Sequence, residues 1–197
     1  MKQEARDLLE KMHDMGADME RCISQLQTAF IYNSSKPLDE CHTTVDRFRA
    51  LEREITGKIT ALTREYPDLK PYISVPVHLL RIAENIEKLS EFIGKKIADK
   101  ILFSDRAVTE VTFLLQRLID VLKPTSDIIL ARNAILSRYV QESEAGVTKR
   151  ALEYTTQHEE RLIEGVCAPQ SSSLYINMLD RIKGIAWHAR EIATKLA

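Results

Sequence analysis

Carboxylate, imidazole and amide side chains gather in two short segments of this 197-residue chain, about 100 residues apart. The first segment contains Glu84 and Asn85, and the second contains Asp180 and His188. Carboxylates and imidazoles bind metal ions, which makes Glu84, Asp180 and His188 the candidate metal ligands. Asp180 and His188 are separated by roughly 12 Å along a helix axis, so one metal ion would also need ligands from another helix.

Arg81 and Arg181 occupy matching places in the same two segments. A guanidinium group suits phosphate or an acidic partner, because its planar fork of N–H groups matches the geometry of an oxyanion. The alternative is an ion pair with a neighbouring helix, since charge is expected on the outward side of an amphipathic helix. The candidate motif or partner-binding residues are therefore Arg81, Glu84, Asn85, Asp180, Arg181 and His188.

Catalytic chemistry has no positive support in the sequence. The stretch His158-Glu159-Glu160 lacks the second histidine of an HExxH zinc site, so we interpret it as a polar helix face. There is no glycine-rich phosphate loop, no G-x-S-x-G elbow and no Cys/His spacing that suggests a catalytic triad. We therefore expect a protein that is not an enzyme.

Composition narrows the class further. The chain carries 28 Lys and Arg against 29 Asp and Glu, and this balance argues against a nucleic-acid partner. No apolar stretch reaches the roughly 18 residues that a membrane-spanning helix needs, so we expect no membrane insertion. The N-terminal segment is acidic and amphipathic rather than signal-like, which predicts a cytoplasmic location. Cys22, Cys41 and Cys167 lack paired spacing and are expected to be isolated, reduced thiols.

Apolar residues recur with helical spacing along most of the chain, which predicts an all-α fold with six long helices. Met12, Met15 and Met19 belong to the apolar stripe of the first helix, where methionine is expected to pack in the core. Ser104 is a predicted N-cap, and Pro124 is expected to kink or interrupt the helix that follows. The other predicted boundaries are a first helix of about 30 residues, helices over about 39–66 and 142–166, a third helix beginning near Pro76, and a last helix after residue 173.

Sequence elements also recur at an interval near 100 residues. The run Arg49-Ala50-Leu51-Glu52 recurs as Arg150-Ala151-Leu152-Glu153, and Pro67 is matched by Pro169. Four residues of the third helix are repeated at an offset of 100: Leu79, Arg81, Ile82 and Glu91 match Leu179, Arg181, Ile182 and Glu191. This interval indicates two tandem three-helix bundles, over residues 1–102 and 103–197.

The third helix of each half carries a motif that resembles a known family. The segments 79–85 and 179–185 look like the LERIGDH signature of the PhoU family of phosphate-uptake regulators. The second half is also similar to the cytoplasmic PhoU-like tail of bacterial sodium/phosphate cotransporters, in the stretches 103–105, 158–167 and 173–175. The resemblance implies two three-helix repeats and a role in phosphate transport, through contact with a membrane phosphate transporter or a sensor kinase.

Members of that family hold iron or zinc clusters with the carboxylates at the second and sixth positions of the signature. This chain has Leu80 and Glu84 at those positions in the first repeat, and Asp180 and Gly184 in the second. Each repeat therefore keeps one carboxylate of the pair.

The leading hypothesis is a non-enzymatic regulator of phosphate transport, located in the cytoplasm or peripherally at the inner face of the membrane. Long amphipathic helices favour a homodimer. One alternative is a metal-binding bundle with reduced carboxylate sites for iron or zinc, and another is a helical scaffold unrelated to phosphate. Trp187, the single tryptophan, is expected to pack at the edge of the helix seam.

Overall fold

The computed structural model describes residues 3–165 and 169–197, which form a bundle of six long α-helices. The all-α prediction is confirmed, and the described residues contain no strand. None of the described helices is both long and apolar enough to cross a membrane. The helices are α1 (Gln3–Tyr32), α2 (Leu38–Leu62), α3 (Val75–Ala98), α4 (Asp105–Ala131), α5 (Ala134–Ile163) and α6 (Pro169–Leu196), with a 3₁₀ helix at Pro67–Tyr72 between α2 and α3.

Capping side chains set the starts of α4 and α5. Ser104 caps α4 as predicted, and its hydroxyl oxygen accepts a hydrogen bond from the amide of Ala107 (3.3 Å). The side-chain oxygen of Asn133 accepts hydrogen bonds from two amides in the first turn of α5 (2.9 and 3.2 Å). Helix α5 therefore begins at Ala134 rather than near residue 142, while its predicted end at residue 166 lies outside the described residues.

Helix α4 continues through Pro124, so the predicted interruption is wrong. Proline leaves one backbone carbonyl of the preceding turn without its amide partner. That carbonyl is the one of Asp120, and the helix tolerates the loss because α4 packs against α1, α5 and α6. The hydroxyl groups of Thr125 and Ser126 donate to the carbonyls of Val121 and Leu122 (2.7 and 3.1 Å). The helix ends instead at Ala131, and its C-cap residue Arg132 takes a left-handed φ of 45°.

Helices α1 to α3 pack on one another, as do α4 to α6, and the two sets are joined where α1 packs along α4 and α3 along α6. One continuous apolar core consequently runs through both sets. Met12, Met15 and Met19 are at most 2% exposed, which confirms that the methionine stripe lies in this core. The division of the chain at residue 102 stays a prediction.

Cys22 and Cys41 are buried free thiols on α1 and α2. The Cys41 thiol donates to the backbone carbonyl of Cys22 (3.7 Å), and hydrogen bonding with Cys41 lowers the pKa of the Cys22 thiol against the opposing effect of burial. The two thiols therefore interact rather than being isolated. Cys167 lies outside the described residues.

Candidate functional site

The two motif segments meet where α3 packs on α6. Residue 78 contacts residue 188, whereas residue 85 contacts residues 181 and 184, so the two helices run antiparallel. This packing brings His78 to His188 and Asn85 to Arg181. The predicted motif residues therefore lie on one continuous surface, although they come from opposite halves of the chain.

The two motif arginines have different surroundings. Arg81 is exposed and pairs with Glu84 of its own helix (2.8 Å), rather than with a neighbouring helix. Arg181 reaches across to α3, where its Nη1 donates to Asn85 Oδ1 (3.4 Å). Asp180 is exposed and pairs with Lys183 (2.8 Å). Of the motif charges, Arg81 and Asp180 are thus the ones most available to a partner.

Asn85 occupies the space beside Gly184. A Cβ atom at position 184 would lie 3.1 Å from Asn85 Oδ1, so the glycine permits this close approach. A carboxylate at position 184, as in the family signature, would require Asn85 to move. The described residues contain no group of three or more His, Cys, Asp or Glu side chains that could hold a metal ion. Glu84, Asp180 and His188 accordingly do not form such a group, and the described residues do not fit the carboxylate clusters that the resemblance implies.

His78 and His188 face each other across the helix interface, with their Nδ1 atoms 3.0 Å apart. Burial lowers the pKa of both imidazoles, and that of His188 falls to about 4 because the positive charges of His78 and Arg81 add to the effect. Both rings are therefore neutral at pH 7, so one Nδ1 donates a hydrogen bond and the other accepts it. No sequence pattern within a single helix pairs these two residues.

Trp187 lies against this histidine pair. Its ring makes an edge contact with His188 (4.7 Å between ring centroids), and the Arg190 guanidinium lies 5.8 Å from the indole centroid. The side chain is 42% exposed and packs on the histidine pair, which is the expected position at the edge of the helix seam. Its exposed part adds an aromatic contact surface to the motif residues.

A second polar cluster, the Glu110 cluster, lies where α4, α5 and α6 meet and consists of Arg106, Glu110, His158, Arg161 and Tyr175. Arg161 holds the buried Glu110 carboxylate with two hydrogen bonds (3.0 and 3.2 Å), and Arg106 Nε donates a third (3.0 Å). The Tyr175 hydroxyl also donates to this carboxylate. A signal for the cluster was present in the sequence, because Arg106 and Glu110 repeat the ion pair of Arg6 and Glu10 at an offset of 100.

His158 belongs to this cluster and is only 3% exposed, so the interpretation of residues 158–160 as a polar face is wrong for His158. Its ring lies 4.5 Å from that of Tyr175, and neither ring nitrogen has a hydrogen-bond partner among the described residues. Burial lowers the pKa of His158, and the nearby Arg161 lowers it further. The imidazole is therefore neutral at pH 7 and unfavourable to protonate.

Replacing His158 with phenylalanine is expected to stabilise the fold at pH 7 by about 1 kcal/mol, because an aromatic ring is kept while two unpaired buried nitrogen atoms are removed. In the unfolded chain His158 titrates near pH 6.5, above its native pKa, so the unfolded state binds more protons as pH falls below that value. The free energy of unfolding of the wild type should thus decrease as the pH falls from 7 to 5, and that of H158F should decrease less steeply. Urea denaturation at each pH measures both the stability gained at pH 7 and its pH dependence. The half-exposed His13 gives the control H13F, and equal slopes in wild type and H158F would contradict the prediction.

Comparison with protein-family models and with curated protein sequences gives no match. Comparison with solved structures does find similar proteins. The chain is similar to PhoU from Pseudomonas aeruginosa, with a TM-score of 0.89 and 18% identity over 98% of this chain and 95% of that one. It is also similar to the phosphate transport system regulatory protein PhoU from Streptococcus pneumoniae, with a TM-score of 0.85 and 8% identity over 98% of this chain and 93% of that one. The chain therefore has the fold of PhoU.

Proposed function

We propose that this protein is a non-enzymatic, cytoplasmic regulator of phosphate transport that binds a membrane phosphate transporter or its sensor kinase. The observation that carries this proposal is the match to the PhoU fold over nearly the whole of both chains. The PhoU-like signature on α3 and α6 supports it, since both copies lie on one surface. The resemblance of the second half to a cotransporter tail stays a prediction.

The α3–α6 surface is the proposed partner-binding face. Tryptophan and arginine are over-represented among residues that dominate binding energy at protein interfaces. Trp187 and Arg81 supply one of each here, with side chains 42% and 59% exposed. Asp180 adds an exposed negative charge. Asn85, Arg181 and His188 make contacts between the helices and hold this face in place.

Deleting the gene tests the regulatory role. Phosphate uptake by cells in phosphate-rich medium should rise when the regulator is removed, and the wild-type gene supplied in trans should restore the original rate. Uptake that is unchanged in both phosphate-rich and phosphate-poor medium would contradict the proposal.

Complementation with surface variants tests the binding face. W187A and R81E should fail to restore regulation, because the first removes the aromatic contact and the second reverses an exposed charge. R6E is the matched control, since Arg6 is similarly exposed and pairs with an acid of its own helix, but lies on α1. Equal complementation by R81E, W187A and R6E would place the partner elsewhere.

Two further experiments test the remaining expectations. Recovery of non-transport proteins in a pull-down would favour the alternative of a scaffold unrelated to phosphate. Light scattering would measure whether the protein is the expected homodimer.

A further inference from the structure

A cavity of about 280 Å³ lies between α4 and α5, on a different pair of helices from the motif residues. This volume is close to the lower limit of small-molecule pockets, which is about 300 Å³. Both helices line the cavity, and they bring together two aromatic rings, two guanidinium groups, a carboxylate and a glycine: Phe113, Arg117, Asp120, Tyr139, Gly146 and Arg150. The cavity therefore has room for a small molecule rather than for a protein segment.

Two aromatic side chains of this cavity are partly exposed. Phe113 on α4 and Tyr139 on α5 are 38% and 45% exposed, and neither belongs to the apolar core that holds the bundle together. Aromatic side chains bind planar groups such as nucleic-acid bases by stacking. The two rings thus offer a surface for a planar aromatic ligand.

The two arginines of the cavity bring positive charge from opposite walls. Arg117 on α4 and Arg150 on α5 each pair through Nη1 with an acid three residues later on the same helix (3.3 and 3.0 Å). Such exposed pairs are weak, and a guanidinium has further N–H donors that suit an oxyanion. Because the lining holds two positive charges against the single negative charge of Asp120, it favours an anion.

Gly146 keeps the cavity open. It lies inside α5, where glycine destabilises a helix relative to alanine. A Cβ atom at this position would meet nothing within 4 Å, so no close contact between helices explains the glycine. Since Gly146 lines the cavity, a larger side chain would fill the space that a ligand needs.

A second cavity, between α1 and α2, has a different lining. Arg21 and Arg47 lie there, but both pair with the single carboxylate of Asp18. Phe48, the aromatic residue of its described lining, is fully buried. This cavity offers no exposed ring to a planar ligand and therefore serves as an internal control.

We propose that the α4–α5 cavity binds a small planar aromatic anion of the class of a nucleoside monophosphate. The base packs against the rings of Phe113 and Tyr139, and the phosphate lies between Arg117 and Arg150. The Asp120 carboxylate accepts hydrogen bonds from the hydroxyl or amino groups of such a ligand. This site does not depend on the proposed role in phosphate transport, so failure of either proposal leaves the other intact.

Isothermal titration calorimetry at low ionic strength tests the proposal, with AMP as the probe. AMP should bind saturably with a Kd below about 1 mM. Adenosine and inorganic phosphate should each bind at least about tenfold more weakly, because adenosine lacks the oxyanion and phosphate lacks the ring. No saturable binding of AMP, or equal affinity for AMP and for either fragment, would overturn the proposal.

Arginine variants locate the site of the anion. The double variant R117Q/R150Q should bind AMP about tenfold or more weakly than wild type, because it loses both positive charges. R21Q/R47Q is the matched control at the α1–α2 cavity and should keep the wild-type affinity. Wild-type affinity in R117Q/R150Q, or an equal loss in R21Q/R47Q, would overturn the proposal.

A glycine variant tests the cavity without removing charge. G146L should also weaken AMP binding about tenfold or more, because the leucine side chain fills the cavity. Leucine favours a helix over glycine and its Cβ meets nothing within 4 Å, so circular dichroism should show an intact fold. G57L is the control, since a Cβ atom at that position on α2 also meets nothing within 4 Å, and it should bind AMP as wild type does. Equal affinities of G146L and G57L would overturn the proposal.

Discussion

Replacing Glu110 with alanine is expected to lower the free energy of unfolding by about 3–5 kcal/mol. The Glu110 carboxylate is 5% exposed and accepts hydrogen bonds from Arg161, Arg106 and Tyr175. Arg161 is itself only 12% exposed, so removing the carboxylate leaves a positive charge buried beside a tyrosine hydroxyl that has lost its acceptor. Urea denaturation followed by circular dichroism measures the loss.

Glu10 provides the matched control, since it lies 100 residues earlier and pairs with Arg6 in the same i,i+4 arrangement. This first pair is exposed, with side chains 66% and 49% accessible, and exposed ion pairs contribute about 0.2–1 kcal/mol. E10A should therefore cost less than about 1 kcal/mol. Similar losses of unfolding free energy in E10A and E110A would show that burial of the Arg106–Glu110 pair does not increase its contribution to stability.

The effect of E110A should also depend on pH. Burial raises the pKa of Glu110, but hydrogen bonds from Arg161, Tyr175 and Arg106 outweigh burial and lower the pKa below its ordinary value. The native carboxyl thus releases its proton at a lower pH than the unfolded one. Its stabilising contribution is complete above the unfolded value of about 4.3 and is lost as the pH falls through the native pKa. The difference between wild type and E110A should narrow in acid and stay constant above about pH 6.

The helices could be predicted from the sequence because residues close together in the chain, through their apolar spacing and capping side chains, determine where a helix forms. Apolar spacing identifies the buried stripe of α1, and a single serine fixes the start of α4. Pro124 shows where a local rule fails. Proline removes one backbone hydrogen bond, here the bond to the carbonyl of Asp120, and α4 continues because it packs against α1, α5 and α6 along its length. Helix propensity alone does not reveal this tertiary support.

The candidate site was less predictable because its contacts join distant parts of the chain. Helical periodicity places Asn85 and Gly184 on their own helices, but only antiparallel packing of α3 on α6 brings them together. The same packing pairs His78 with His188. The repeat indicated that the two motif helices are equivalent, yet an offset of 100 residues does not specify which residues meet. Burial of His158 depends in the same way on Tyr175, which comes from another helix.

Replacing Gly16 with valine is expected to destabilise the protein by about 3 kcal/mol. Gly16 lies where α1 packs on α4, and of the described glycines it leaves the least room for a side chain. A Cβ atom at position 16 would lie 2.2 Å from Ser126 Oγ and 3.0 Å from Ser126 Cβ. Rotation of the hydroxyl would relieve the first contact, but it would break the hydrogen bond to the carbonyl of Leu122. The second contact can be relieved only if the helices move apart, which opens the core that the two halves share.

Gly57 gives the matched control, since a Cβ atom at that position meets nothing within 4 Å. Valine has a slightly better helix propensity than glycine, so G57V should lie within about 0.5 kcal/mol of wild type. The conflict at Gly16 also predicts rescue: in an S126G background, where Cβ and Oγ are absent, G16V should cost at least about 1 kcal/mol less than in wild type. Urea denaturation of wild type, G16V, S126G and the double variant measures the coupling. A cost of G16V that does not change in the S126G background would show that the helices already have room for a side chain between them.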